Sequence, residues 1–216
     1  MAGDIALVGW HRILGRMSKR LARWNLNIHY HRVVVDAVPT HAVNALDVGC
    51  GNGLLSFELS ARGLDVVGID PDAPSIERAR ADPDATDRTE FVCDDVFTHP
   101  FEPASFDVVA SSAMLHHVEA ERGLRRMREL VRPGGVLAIV SFAMPSGPVD
   151  LALIASGLVY KSVREWSGRY WEHSAPLRWP PPMSIDEMRA LVERELPGAS
   201  FHRRMAHRYS VVWRAP

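Results

Sequence analysis

Residues 46–53, Leu-Asp-Val-Gly-Cys-Gly-Asn-Gly, set Gly49, Gly51 and Gly53 at alternate positions between an apolar run and a helix-length segment. Such a chain can turn sharply and lay its backbone against a ligand that side chains would hold away. Twenty-one positions after Gly49 a second apolar run ends in Ile69-Asp70, where a carboxylate can accept from both hydroxyls of a ribose. The spacing is GxGxG, not the GxGxxG that seats a pyrophosphate on a helix N-terminus, which disfavours a nucleotide-dependent oxidoreductase. A ribose-bearing ligand held close to the backbone is the chemistry these residues support.

His116 and His117 follow the apolar run Phe106–Ala110. A histidine there can serve as a general base near neutral pH, or it can pack beneath the sheet edge or face water. His29 and His31 lie two apart without a nearby third ligand, so no metal is expected. Cys50 and Cys93, the two cysteines of the chain, are too few for a disulfide framework and fit a reducing, cytoplasmic setting.

These groups need a scaffold, and the chain from Asn44 to Phe142 alternates short β-branched or apolar runs with helix-length segments. That is the pattern of strands joined by crossover helices into a parallel sheet. Strands are expected at Ala45–Val48, Asp65–Ile69, Glu90–Cys93, Phe106–Ala110 and Gly135–Ser141, with helices near Leu54–Arg62, Ala73–Ala81 and Glu121–Val131. In the last of these, Leu124, Met127, Leu130 and Val131 form one stripe, and Pro133-Gly134-Gly135 is expected to stop the helix and turn the chain. Ser184 and Glu187 have the spacing of a capping box, with Ile185, Met188, Leu191 and Val192 on a buried face behind them. The tail from Ser200 to Arg214 predicts two antiparallel strands turning near Ala206–His207.

At 216 residues, 47% of them hydrophobic, the chain suits a single domain over 1–216. Residues 1–40 are expected as an N-terminal helical lid, and Met1–Arg23 carries basic residues through its apolar stretch, unlike an export signal. Residues 143–183, with Tyr160, Trp166, Tyr170, Trp171 and Trp179, are expected as an inserted cap on the substrate side. Basic and acidic side chains balance at 25 against 26, which gives no footprint for nucleic acid. Val136–Val159 is broken by Pro145, Gly147, Pro148, Asp150 and Gly157, so no membrane span is expected.

Taken in order, LDVGCGNG at 46–53, VGIDPD at 67–72, FVCDDVF at 91–97, SFDVV at 105–109, LHHV at 115–118 and RPGG at 132–135 resemble the class I S-adenosylmethionine-dependent methyltransferases of small molecules. The resemblance implies a doubly wound, seven-stranded, mostly parallel Rossmann-like α/β sheet with N-terminal helices and a small cap. It implies S-adenosylmethionine as cofactor, its methionine and ribose lined by Gly49, Cys50, Gly51 and Gly53, with Asp47 near the amino group. Asp70 and Pro71 would meet the ribose, and Asp95 with Val96, or Asp94 in the alternative register, the adenine. Ser111 would contact the methionine part through its backbone, and His116 or His117 would lie near the transferred methyl as candidate catalytic groups. Tyr30 or His31, in a lid helix before the first strand, would close over the cofactor. The implied reaction is methyl transfer to a small, apolar or aromatic acceptor, oxygen or nitrogen ahead of carbon, by a monomer or homodimer. A non-catalytic sensor or scaffold that binds the cofactor stands beside it as the alternative.

Overall fold

The structure, a computed structural model, describes residues 23–167, 171 and 178–216. Apart from Arg23, the helix expected over Met1–Arg23 lies outside the described residues, as do residues 168–170 and 172–177 of the expected cap.

Helix α1 (Leu26–Ala37) starts where the Asn25 side chain accepts from the Asn27 and Ile28 amides. There follow β1 (Asn44–Val48), α2 (Leu54–Ser60), β2 (Asp65–Ile69), α3 (Ala73–Ala81), β3 (Thr89–Val92) and β4 (Phe106–Ser112). A short 3₁₀ turn, Leu115–His117, leads to α4 (Ala120–Leu130) and β5 (Val131–Phe142). Helix α5 (Pro148–Trp166), α6 (Ile185–Glu195), β6 (Ser200–Arg204) and β7 (Arg208–Arg214) complete the described chain. The capping box at Ser184 and Glu187 is formed in both directions.

Among the described residues seven strands make one sheet in the order β3-β2-β1-β4-β5-β7-β6, and β7 alone runs against the rest. After β3 the chain crosses to the other side of β1, so the winding reverses between β1 and β4. The crevice outside the carboxyl ends of these two strands is where a ligand meets such a sheet. The glycine run leaves the end of β1 and the two histidines leave the end of β4, so the topology alone brings both to that crevice.

Both faces of the sheet are covered, which is why its central strands are apolar at successive positions. Leu46, Val109, Leu137 and Ile139 meet Leu124, Met127, Met188 and Leu191 on one face. Ala45, Val108, Ala110 and Ala138 face Tyr30, Val34, Leu55 and Leu59 on the other. At the amino edge Asp107, buried, accepts from the Val43 and Asn44 amides at 2.7 and 3.2 Å and pairs with Arg132 at 2.9 Å. That cluster ties the start of β1 to β4 and β5.

One element differs from expectation. Pro133-Gly134-Gly135 lies inside β5 instead of before it. Phe106 is opposite Val131 and Val108 opposite Val136, so the intervening residues bulge out of the ladder. Proline has no amide to lose there, and a Cβ on Gly135 would stand 2.7 Å from the Asp107 carbonyl oxygen. Within the segment expected as a small helical and loop cap, α5 is a helix of 19 residues. Its large apolar positions do not repeat on an inward face, so the pattern that marks α4 is missing from it.

Candidate active site

The loop after β1 is built from left-handed backbone: φ is +72° at Gly49, +51° at Gly51 and +78° at Gly53. Glycine is required at Gly49 on two grounds, since an added Cβ would also fall 2.3 Å from Met114 Cγ. The Gly49 and Cys50 amides both donate to the Ile69 carbonyl, at 2.8 and 3.1 Å, which pins the loop to the end of β2. Cys50 is buried under the loop, and burial pushes its thiol well up, so it stays protonated.

Asp70 ends β2 and turns its carboxylate to this loop. One oxygen accepts from the Gly51 amide and the other from the Asp72 amide, each at 2.9 Å. A carboxylate fixed by two backbone donors is pre-oriented for further donors on its remaining lone pairs. Pro71 follows it at the surface and its carbonyl accepts from Cys93 Sγ at 3.9 Å.

Beneath the loop Asp47 is fully enclosed and accepts from Ser56 Oγ at 2.7 Å. Burial raises its pKa to about 6, against the lowering effect of the Ser56 hydrogen bond and the nearby His31. His31 itself is buried, with Nδ1 3.1 Å from Glu58 on α2. A buried carboxylate with a raised pKa and a single side-chain donor is prepared to gain a cationic partner such as an ammonium group.

At the third strand the two acidic side chains have different company. Asp94 lies 2.8 Å from His99 Nδ1, which with the Asp95 amide holds its carboxyl below the usual range. Asp95 is exposed and accepts from the Phe97 amide at 3.0 Å. Val96 is buried, its carbonyl taken by Arg126 Nε at 2.9 Å. Ser111 is buried too, and its hydroxyl donates to the Val48 carbonyl at 3.0 Å, closing the gap between β4 and β1.

The histidines separate on inspection. His116 is 4% exposed, with Nδ1 3.3 Å from Ser141 Oγ and its ring edge-on to Phe142. Burial first, then the nearby His117, Arg178 and Arg208, lowers its pKa to about 4. The near-neutral base expected at this position is therefore not His116, which is uncharged throughout the physiological range. His117 is half-buried, and burial first, then Arg178, lowers its pKa, while Asp70 opposes them. That last effect places His117 in the electrostatic reach of the ribose-type carboxylate.

Tyr30 is not brought to the glycine loop. Its ring is in the core and its hydroxyl accepts from the Met205 amide at 3.0 Å. Met205 lies at the turn between β6 and β7, and β7 is three strand positions from β1, about 14 Å at ordinary strand spacing. The structure adds residues that sequence spacing does not connect: Phe142, Trp179, His207 and Arg208. Arg208 lies over the Phe142 ring at 4.3 Å, Trp179 is edge-on to His207 at 4.7 Å, and Arg178 donates to the His117 carbonyl at 2.7 Å. His207 has φ +61° and a buried Nδ1 without a partner among the described residues. Only the aromatic content of residues 143–183 hinted at this side.

An α/β sheet with its glycine loop, its Asp70 and its histidines at one switch point defines a protein of the Rossmann-like class. The family described as "Methyltransferase domain" matches residues 46–139. An uncharacterized methyltransferase of Mycobacterium bovis is 41% identical over 194 residues, covering 89% of this chain and 98% of that protein. A demethylmenaquinone methyltransferase of Clavibacter sepedonicus is 35% identical over 126 residues, 58% of this chain and 51% of that one. The crystal structure of a SAM-dependent methyltransferase from Aquifex aeolicus superposes with TM-score 0.59 at 17% identity, over 88% of this chain and 92% of that one. The chain belongs to the class I S-adenosylmethionine-dependent methyltransferases. It is an enzyme that transfers a methyl group.

Proposed function

We propose that the enzyme methylates a small, apolar or aromatic molecule, at oxygen or nitrogen in preference to carbon. The observation that carries this reading is the facing pair of sites at one switch point. A glycine cradle with Asp70 lies on the β1–β2 side, and His117, Phe142, Trp179 and His207 lie on the β4–β5 side. The relative named as a demethylmenaquinone methyltransferase supports an apolar ring as acceptor.

The cradle fits the cofactor, since a Cβ on Gly49 has no room beside Met114 and the Asp70 carboxylate is already aimed by two amides. When bound, S-adenosylmethionine supplies a methyl group made electrophilic by its sulfonium. Gly49, Cys50, Gly51 and Gly53 would hold it by backbone, Asp70 and Pro71 at the ribose, Asp47 at the amino group, Asp95 with Val96 or else Asp94 at the adenine, and Ser111 by backbone. The protein's task is then to orient the acceptor and exclude water. His117, neutral at physiological pH, takes the proton of an acceptor hydroxyl or ammonium at its imidazole nitrogen. His116 supports it by packing against it at 4.1 Å between ring centres.

The test is calorimetric titration with S-adenosylmethionine and with its demethylated product, with a nicotinamide dinucleotide as control. One-site binding of the first two alone justifies a screen of phenolic, quinol and amine acceptors. If the dinucleotide binds instead, or only carbon acceptors turn over, the reading fails.

A further inference from the structure

Ser141 shares one face of β5 with Leu137 and Ile139, both in the core, where a hydroxyl is costly unless something bonds it. It is wholly buried, and directly opposite it in the β5–β7 ladder stands Tyr209, wholly buried as well. The Tyr209 ring is fixed by stacking on Phe201, at 5.3 Å between ring centres and 9° between planes. Its hydroxyl is in hydrogen-bond geometry with no described residue, and burial pushes its pKa up, so it is a neutral phenol with one proton to give. A buried donor that nothing receives is the costly way to lose a hydrogen bond. The Ser141 hydroxyl is the one side-chain group that acts on this phenol, so the phenol's proton goes to the Ser141 oxygen.

On its other side the Ser141 hydroxyl stands 3.3 Å from His116 Nδ1. Three groups thus share two links, and counting protons fixes the direction of both. If His116 carried its proton on Nδ1 and donated to Ser141, the Ser141 proton would turn to Tyr209 and the phenol proton would be stranded. If His116 and Tyr209 both donated to Ser141, the serine proton would be the stranded one. One arrangement strands none: Tyr209 donates to Ser141, and Ser141 donates to His116 Nδ1. His116 is uncharged, so its own proton is then on Nε2. That nitrogen makes no hydrogen bond with a described residue, and it is not among their sealed polar atoms, which are Arg189 Nε, His207 Nδ1 and the Tyr209 hydroxyl. It is the nitrogen left to the crevice at the end of β4.

We propose that Ser141, backed by Tyr209, is a positioning residue that holds His116 as its Nε2–H tautomer, with the imidazole lone pair turned away from the crevice. His116 then offers the crevice an N–H and no base. His117 has its ring centre 4.1 Å from that of His116, and among the described residues no side chain hydrogen-bonds its ring, so it keeps a basic nitrogen. Two adjacent histidines are thereby made unequal by one serine as well as by their burial. The proton of a methyl acceptor is left with His117 as its destination. That consequence rests on the function proposed above, whereas the tautomer does not.

The experiment is nitrogen-15 NMR of the full chain with labelled histidine, near neutral pH and without cofactor or acceptor. Long-range correlations distinguish the protonated ring nitrogen from the bare one, and His116→Gln identifies the His116 signals by their loss. In the wild type Nε2 is expected to carry the proton, that form outnumbering the other by about tenfold or more. In Ser141→Ala nothing holds Nδ1 inward, and the ring should turn and show a mixture of both tautomers. Ser141→Thr keeps the hydroxyl and should return His116 to the wild-type form. A wild-type His116 protonated on Nδ1 overturns the proposal, and that spectrum decides even where a variant fails to fold. A Ser141→Ala protein that keeps the wild-type tautomer overturns it too, since a serine that only packs would alter melting and leave the ring nitrogens as they are. No turnover is read, so failure here leaves the methyl-transfer reading to its own titration.

Discussion

The two sides of the switch point are made by different means. On the β1–β2 side the ligand-facing groups come from two short stretches, 47–53 and 70–72, and most of their contacts are backbone ones: the Gly51 and Asp72 amides on Asp70, the Gly49 and Cys50 amides on Ile69. On the β4–β5 side the contacts join distant parts of the chain: Phe142 is edge-on to His116, Trp179 is edge-on to His207, and Arg178 donates to the His117 carbonyl. The first side is a rigid device for one invariant cofactor. The second can change its acceptor by changing side chains without disturbing the first, which is how one fold serves many substrates.

That contrast can be broken most sharply at Gly49. Gly49→Ala must force a left-handed alanine and push Met114 aside, and cofactor affinity should drop by about 100-fold or more while the protein still folds. Calorimetry beside a melting curve separates the two effects; an alanine variant that binds normally would show that the cradle is not the cofactor site. Asp70→Ala should weaken the same binding by about 1.5–3 kcal/mol, because charge-assisted hydrogen bonds to a ribose are lost. Unchanged affinity would mean that Asp70 only braces the loop.

On the other side, His117→Ala should lower kcat by about tenfold to a hundredfold with the cofactor Kd unmoved, whereas His116→Ala should mainly lower stability. Steady-state rates with an identified acceptor, read against melting curves, decide it. Equal kcat in wild type and His117→Ala would remove the base from the mechanism.

The smallest effect is expected at Asp47. Its pKa is raised from 3.8 to about 6, so the folded protein holds that proton more tightly than the unfolded chain does. Stability from this group is highest below the unfolded value, falls as pH rises through the window between the two, and is flat above about pH 6. Asp47→Asn should therefore gain about 1–2 kcal/mol above pH 6 and nothing at pH 3, while its cofactor binding suffers. Chemical denaturation at both pH values checks the sign.

The strands and helices from Asn44 to Phe142 were legible because short apolar runs alternate with helix-length segments, and the loop after β1 because its glycines are demanded by local backbone geometry. Tyr30 was misplaced because a lid and a core contact look alike in sequence; the Met205 amide that donates to its hydroxyl is 175 residues away. The bulge at Pro133-Gly134-Gly135 reads as a helix stop until the pairing of β5 with β4 is seen. His116 and His117 are adjacent and chemically identical, yet only one is sealed beside Ser141.

What the sequence determined by itself is therefore the family, the alternation of strands and helices from Asn44 to Phe142 and the glycine-built loop after β1, since these depend on short-range spacing and residue type. Tertiary structure alone decided which histidine is buried, which side chains gather at the ends of β4 and β5, and which face of α5 looks outward. Burial, electrostatic neighbourhood and helix orientation are set by contacts between residues far apart in the chain, and no local pattern encodes them.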